Sequence, residues 1–106
     1  MNLIEMKLMR CQSIEGYWED LNEIKLIFGL KINEIQEIKC EDKDLEMKCV
    51  ATIIVIATLH VKLSNVKYCW CLIEEKAINW LKNAIQNIDL NQIFQKIEKK
   101  INNYKK

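Results

Sequence analysis

One histidine, five cysteines and fifteen acidic residues are the side chains of this 106-residue sequence that could cut, transfer or ligate. Each of those chemistries needs partners at set spacings. His60 abuts an apolar run and has no second imidazole to join it. A multi-histidine metal centre is therefore excluded, and a dyad built on it would need an acid brought from far along the chain. Cys11, Cys40, Cys49, Cys69 and Cys71 contain no C-x-x-C pair, the spacing that marks a zinc knuckle or a redox site. On a helix Cys69 and Cys71 would point about 200° apart and could not share an ion. The expected state is small buried or half-buried thiols in a reducing compartment. Glu74 and Glu75 are neighbours that diverge on a helix, and the acids as a group read as helix starts and solvated faces. The glycines, Gly16 and Gly29, are too few for either Gly-rich phosphate loop. The sequence thus predicts no catalytic residue, no metal site and no cofactor, and a protein that is not an enzyme.

Composition narrows the partners. Apolar residues make up 50% and charged residues 29% of the chain, a balance that folds and is too apolar for intrinsic disorder. A formal charge of +1 sets up no field to gather nucleic acid or an anionic membrane. The N-terminal "MNLIEMKLMR" mixes charge with apolar residues and lacks the continuous apolar stretch of a secretory signal. The longest uncharged run, Cys49 to Leu59, is eleven residues, where a membrane-spanning helix needs about 20. Expected from these features are a cytoplasmic setting and a protein partner, with no nucleic acid, membrane or small-molecule substrate.

The elements that must carry these residues read as helices throughout, in one domain over residues 1–106. Residues 2–13 form a loosely amphipathic helix with Leu3, Met6, Met9 or Arg10, and Gln12 on one side, and it runs into a break at Gly16. Asp20 stands three before Glu23 in a capping pattern, and Leu21, Ile24, Ile27 and Phe28 form an apolar face that Gly29 closes. Ile32, Ile35 and Ile38 keep a three-residue beat, read as a short helix. "CEDKD" is a polar loop with Asp44 as the expected N-cap of a long helix reaching about Leu63; its β-branched apolar run would also suit a buried strand, but some twenty residues without a turn signal are too long for a typical one and favour the helix. A loop at Ser64 and Asn65 follows, then a helix from about Val66 to Asn87 with Trp70, Ile73, Ala77, Trp80, Leu81 and Ala84 as a packing stripe. The last helix, 89–104, opens on the Asp89 and Gln92 pair and carries Leu90, Ile93, Phe94, Ile97, Ile101 and Tyr104 in helical period. Its lysines, Lys96, Lys99, Lys100, Lys105 and Lys106, crowd toward the negative end of the helix dipole. The expected fold is all-α: a compact bundle of five or six short helices around the apolar Cys49 to Leu59 segment.

Three blocks, "CQSIEGYWEDLNEIKLIFGL", "ATIIVIATLH" and "CWCLIEEKAINWLKNAI", carry a further reading. Their order and spacing over about residues 8–86 resemble the small C-terminal helical module of the vault poly(ADP-ribose) polymerase and of proteins that pair a vault/inter-alpha-trypsin domain with a von Willebrand factor A domain. The family's Gln-x-x-x-Gly-x-Trp turn is matched by Gln12, Gly16 and Trp18. Its helix ending in Leu-Gly or the equivalent is matched by Phe28 and Gly29, and its Ala-Thr segment by Ala51 and Thr52 leading to Ala57 and Leu59. Its closing block is matched by Trp70, Leu72, Ile73, Lys76, Ala77, Trp80 and Leu81. The chain departs from the pattern at Val50, where a Trp is usual, at Cys69, where an acid is common, and in the Lys-rich last helix, which falls outside the match. The resemblance implies a noncatalytic domain that binds major vault protein and places its carrier on vault particles. It also implies an alternative, a structural helical appendage packed on a von Willebrand-type domain of a parent chain. Either way Gly16 is expected to make a tight turn, and Trp18 to fold back and close the core against the helix that carries Trp70 and Trp80; the motif residues are read as structural or as partner contacts, with the three tryptophans in the core or at least one of them an exposed partner anchor.

Overall fold

A computed structural model describes residues 3–29, 35–86 and 88–103. Among these residues there are five α-helices: α1, Leu3–Cys11; α2, Leu21–Phe28; α3, Lys43–Lys62; α4, Lys67–Ala84; and α5, Leu90–Asn103, with a 3-10 turn at Ser64–Val66 between α3 and α4. No strand occurs among the described residues. The all-α bundle around a central apolar helix is the architecture found.

Helix α3 is the centre because its sequence leaves no polar side to turn outward. Every residue from Cys49 to Leu59 is buried, including Thr52 and Thr58. A helix apolar all round must be wrapped by others, and here α5, α4 and α2 pack against it. Its start lies two residues before the expected Asp44. Asp42 is the N-cap, its carboxylate accepting from the backbone N–H of Asp44 at 2.9 Å and of Leu45 at 3.3 Å. One turn on, Glu46 reaches back to the Cys40 N–H at 2.9 Å. That bond draws the incoming chain against the first turn and starts the helix early, leaving Asp44 inside the first turn where an anion suits the dipole.

Helix α2 has the ends the sequence assigns. Asp20 accepts from the Glu23 N–H at 3.0 Å, and Gly29 takes the left-handed conformation at φ 66°. Lys62, from the last turn of α3, donates to the carbonyl of Phe28 at 3.0 Å, so a cation satisfies one of the orphan acceptors at that helix end. Of its face, Ile24 and Phe28 are buried, while the side chains of Leu21 and Ile27 lie outside the description.

The short helix expected over Ile32 to Ile38 is not present in its described part. Ile32 lies outside the described residues, and residues 35–38 form a turn closed by the Ile38 N–H on the Ile35 carbonyl at 3.0 Å. Ile35 and Ile38 are nevertheless both buried. A three-residue beat of isoleucines serves a β-turn, whose first and fourth residues meet, as well as it serves a helix.

In α4 the residues Trp70, Ile73, Ala77 and Leu81 are buried, at the three- and four-residue spacings of one face. The helix ends at Ala84, before the expected Asn87, which is itself outside the described residues. Helix α5 buries Ile93, Phe94, Ile97 and Ile101 on α3, and Asp89 accepts from the Gln92 N–H at 3.2 Å at its start. Tyr104, Lys105 and Lys106 are outside the described residues. No single described helix is long and apolar enough to cross a membrane.

Candidate functional site

The Gly16 break is the best organised junction in the molecule. The loop closes on itself: the Ser13 N–H donates to the Tyr17 carbonyl at 2.8 Å, and the Ser13 hydroxyl accepts from the N–H groups of Gly16 at 3.2 Å and Tyr17 at 3.0 Å. Gln12, just past α1, then ties this loop to α4, its side-chain amide donating to the carbonyls of Gly16 at 2.9 Å and Ile73 at 3.2 Å. Gly16 has φ 117°, and a Cβ built there would lie 2.7 Å from the Lys76 carbonyl oxygen. Glycine is required twice over, for the backbone angle and for the approach to α4.

Trp18 follows and is fully buried. Its indole N–H donates to the Leu8 carbonyl at 2.9 Å, and its backbone N–H donates to the Thr52 hydroxyl, also at 2.9 Å. One residue therefore binds α1 through its ring and α3 through its backbone. The Thr52 hydroxyl in turn donates to the Lys48 carbonyl at 2.7 Å, so the polar atoms taken out of water here are partnered, as burial requires. This corrects the expected face of α1: Leu8 is the buried residue, and Met6 and Met9 are 39% and 45% exposed. The helix turns the Leu8 side chain inward and offers its carbonyl to the Trp18 indole.

The residues singled out in the sequence divide in space. Gln12, Gly16, Trp18, Thr52 and the Lys76 backbone meet at this junction, with Ala77 fully buried one residue further along α4. Ala51 is fully buried in α3. Trp70 is buried too, but elsewhere, its indole N–H donating to the Leu63 carbonyl at 2.7 Å across the α3–α4 corner. Trp80 is only partly buried. Its ring meets that of Tyr17 at a tilt of 44° with centroids 5.0 Å apart, and the Lys48 ammonium stands 4.6 Å from the centre of the Tyr17 ring. Trp18 is buried as expected, with its hydrogen bonds on α1 and α3, whereas Trp80 is partly buried beside Tyr17.

A second cluster escaped the sequence reading. His60, on the last turn of α3, has Nε2 2.6 Å from Glu74 Oε2 on α4 and Nδ1 3.2 Å from Glu98 Oε2 on α5. The distant acid that a histidine partnership needed exists in duplicate, 14 and 38 residues away in sequence. Glu74, read as solvated, is partly buried against the ring. The signal available in the sequence was positional: a histidine directly after an eleven-residue apolar run meets polar groups of the helices packed around that run. The carboxylates approach different ring nitrogens, and no group of three or more His, Cys, Asp or Glu side chains that could hold a metal occurs among the described residues.

The cysteines are all free thiols. Cys49 is fully buried, and burial pushes its thiol up to about 12, which removes the nucleophilic thiolate at neutral pH. Cys11 and Cys71 are exposed, contrary to the expectation of buried or half-buried thiols. The Cys11 thiol is raised first by its partial burial and then by Glu23 and Asp20 nearby. The most exposed large apolar residues among those described are Ile14 at 88%, Leu26 at 85%, Tyr68 at 79% and Leu72 at 76%. Tyr68 and Leu72 are four apart on the outward side of α4.

No family model, curated protein or solved structure matches this chain.

Proposed function

We propose that this chain is a noncatalytic, cytoplasmic protein-interaction domain that binds major vault protein and brings its carrier to vault particles. The observation that carries the reading is the meeting of separated motif blocks at one junction. Gln12, Gly16 and Trp18 from the first block touch Thr52 of the second and the Ile73 and Lys76 carbonyls of the third. Residues that resemble one family in order and spacing therefore have a shared mechanical task, which a chance likeness would not require. The task is internal, however. Gln12, Gly16 and Trp18 are turned to the core, so partner contact falls to exposed residues.

A second reading is supported by those exposed residues: a helical appendage seated on a von Willebrand-type domain of a parent chain. Leu72 and Tyr68, which water covers poorly, would be covered intramolecularly. Co-sedimentation of the chain with particles assembled from purified major vault protein separates the two. The vault reading expects saturable co-sedimentation. Its absence with folded chain, together with a gain in solubility when an upstream von Willebrand-type domain is joined, favours the appendage.

A further inference from the structure

His60 stands where three helices meet, and its hydrogen-bond inventory is unusual. An ionised carboxylate offers only lone pairs, and a neutral imidazole offers one N–H and one bare nitrogen. Glu74 Oε2 lies 2.6 Å from Nε2 and Glu98 Oε2 lies 3.2 Å from Nδ1. A neutral ring can donate to one of these acids while turning a lone pair on the other. Only the imidazolium donates to both. The rings of Trp70 and Phe94 pack beside it at centroid distances of 5.7 and 6.2 Å. The charged groups facing the ring are Glu74 from α4 and Glu98 from α5. Lys62, the nearest cation along α3, is engaged with the Phe28 carbonyl.

We propose that His60 is a proton-operated latch for α5. The doubly protonated ring holds Glu74 and Glu98 together and seats α5 on α3 and α4; loss of one ring proton releases Glu98. Glu98 is the partner let go because its contact is the longer one and it is the more exposed acid, at 28% against 17% for Glu74. The apolar face of Ile93, Phe94, Ile97 and Ile101 keeps α5 in place, so release loosens the helix without unfolding the chain. The latch is independent of which partner the domain binds.

The test follows amide hydrogen exchange in α5 relative to α2, a ratio that cancels the base-catalysed rise common to both. The single histidine makes its own titration directly visible by NMR in the same samples. As the solution passes from about pH 5 to about pH 8, the interval in which histidines change charge, protection of α5 relative to α2 should fall about threefold, the size expected of one partly screened charge-assisted bond. The fall should track the ring's resonance. In Glu98→Gln, whose amide accepts from an N–H and donates to a bare nitrogen equally, the ratio should stay flat. His60→Gln should also be flat and serves if the first variant folds poorly. A wild-type ratio that stays constant while the ring titrates overturns the latch, as does an equal fall in wild type and either folded variant.

Discussion

Gly16 and Thr52 carry the most specific consequences of single side chains. A methyl at position 16 meets the Lys76 carbonyl at 2.7 Å on a backbone with φ 117°, so Gly16→Ala should lower stability by about 2–3 kcal/mol, the scale of a strained left-handed residue plus a backbone shift. Urea unfolding measures it, and a change smaller than about 0.5 kcal/mol, the range of a neutral surface substitution, would deny that the loop rests on α4. The buried threonines differ in what they do. Thr52 accepts from the Trp18 N–H, whereas Thr58 donates to the Ile54 carbonyl in its own helix, at 2.7 Å. Thr52→Val strands a buried donor and should cost about 1–3 kcal/mol. Thr58→Val strands nothing, because the Ile54 carbonyl keeps its helical N–H, and should cost under about 1 kcal/mol. Equal losses would contradict the assignment. Gly16 and Trp18 were legible as a turn and a returning aromatic. That Thr52 receives the Trp18 backbone was not, because a residue 34 positions away leaves no periodic trace.

Among the elements, α5 and α2 were the most readable, since each combines a capping acid with an amphipathic face. The isoleucine beat at 35 and 38 misled because burial at a three-residue spacing fixes which residues face inward without fixing the backbone between them. The start of α3 was misplaced for a tertiary reason: Asp42 and Asp44 are equally good caps in sequence, and the Glu46 bond to the Cys40 N–H decides between them. That bond, ahead of the Lys43 contact, holds the Glu46 carboxyl below its ordinary value, against a smaller opposing effect of desolvation. The sign follows: a lowered carboxyl stabilises the fold above its unfolded value, and the contribution is lost as pH falls through the lowered, folded value. Wild type should therefore exceed Glu46→Gln in stability near neutral pH, with the difference closing below about pH 4, the ordinary carboxylate range. Urea titrations at stepped pH read this directly, and a gap independent of pH would assign the helix start to Asp42 alone.

At the scale of the whole molecule, the buried Cys49 to Leu59 stretch of α3 gathers the described residues into one contiguous core, and the three sequence blocks become one clasp around it. The class of fold was legible although the Cys49 to Leu59 run suited a buried strand as well as a helix, because the stretch from Asp44 to about Leu63 is too long for a typical strand and its neighbours read as helices. The His60 cluster was not, since its acids come from helices whose mutual placement no local pattern encodes. The clasp fixes which residues are free to act: Trp18 is scaffold, and a partner must read the exposed surface. Titration of the chain and of a folded Trp18→Phe variant into purified major vault protein, followed by sedimentation, tests this most directly. The account predicts saturable binding by both, with affinities within about twofold, a difference of about 0.4 kcal/mol. Failure of the folded wild-type chain to bind would contradict it.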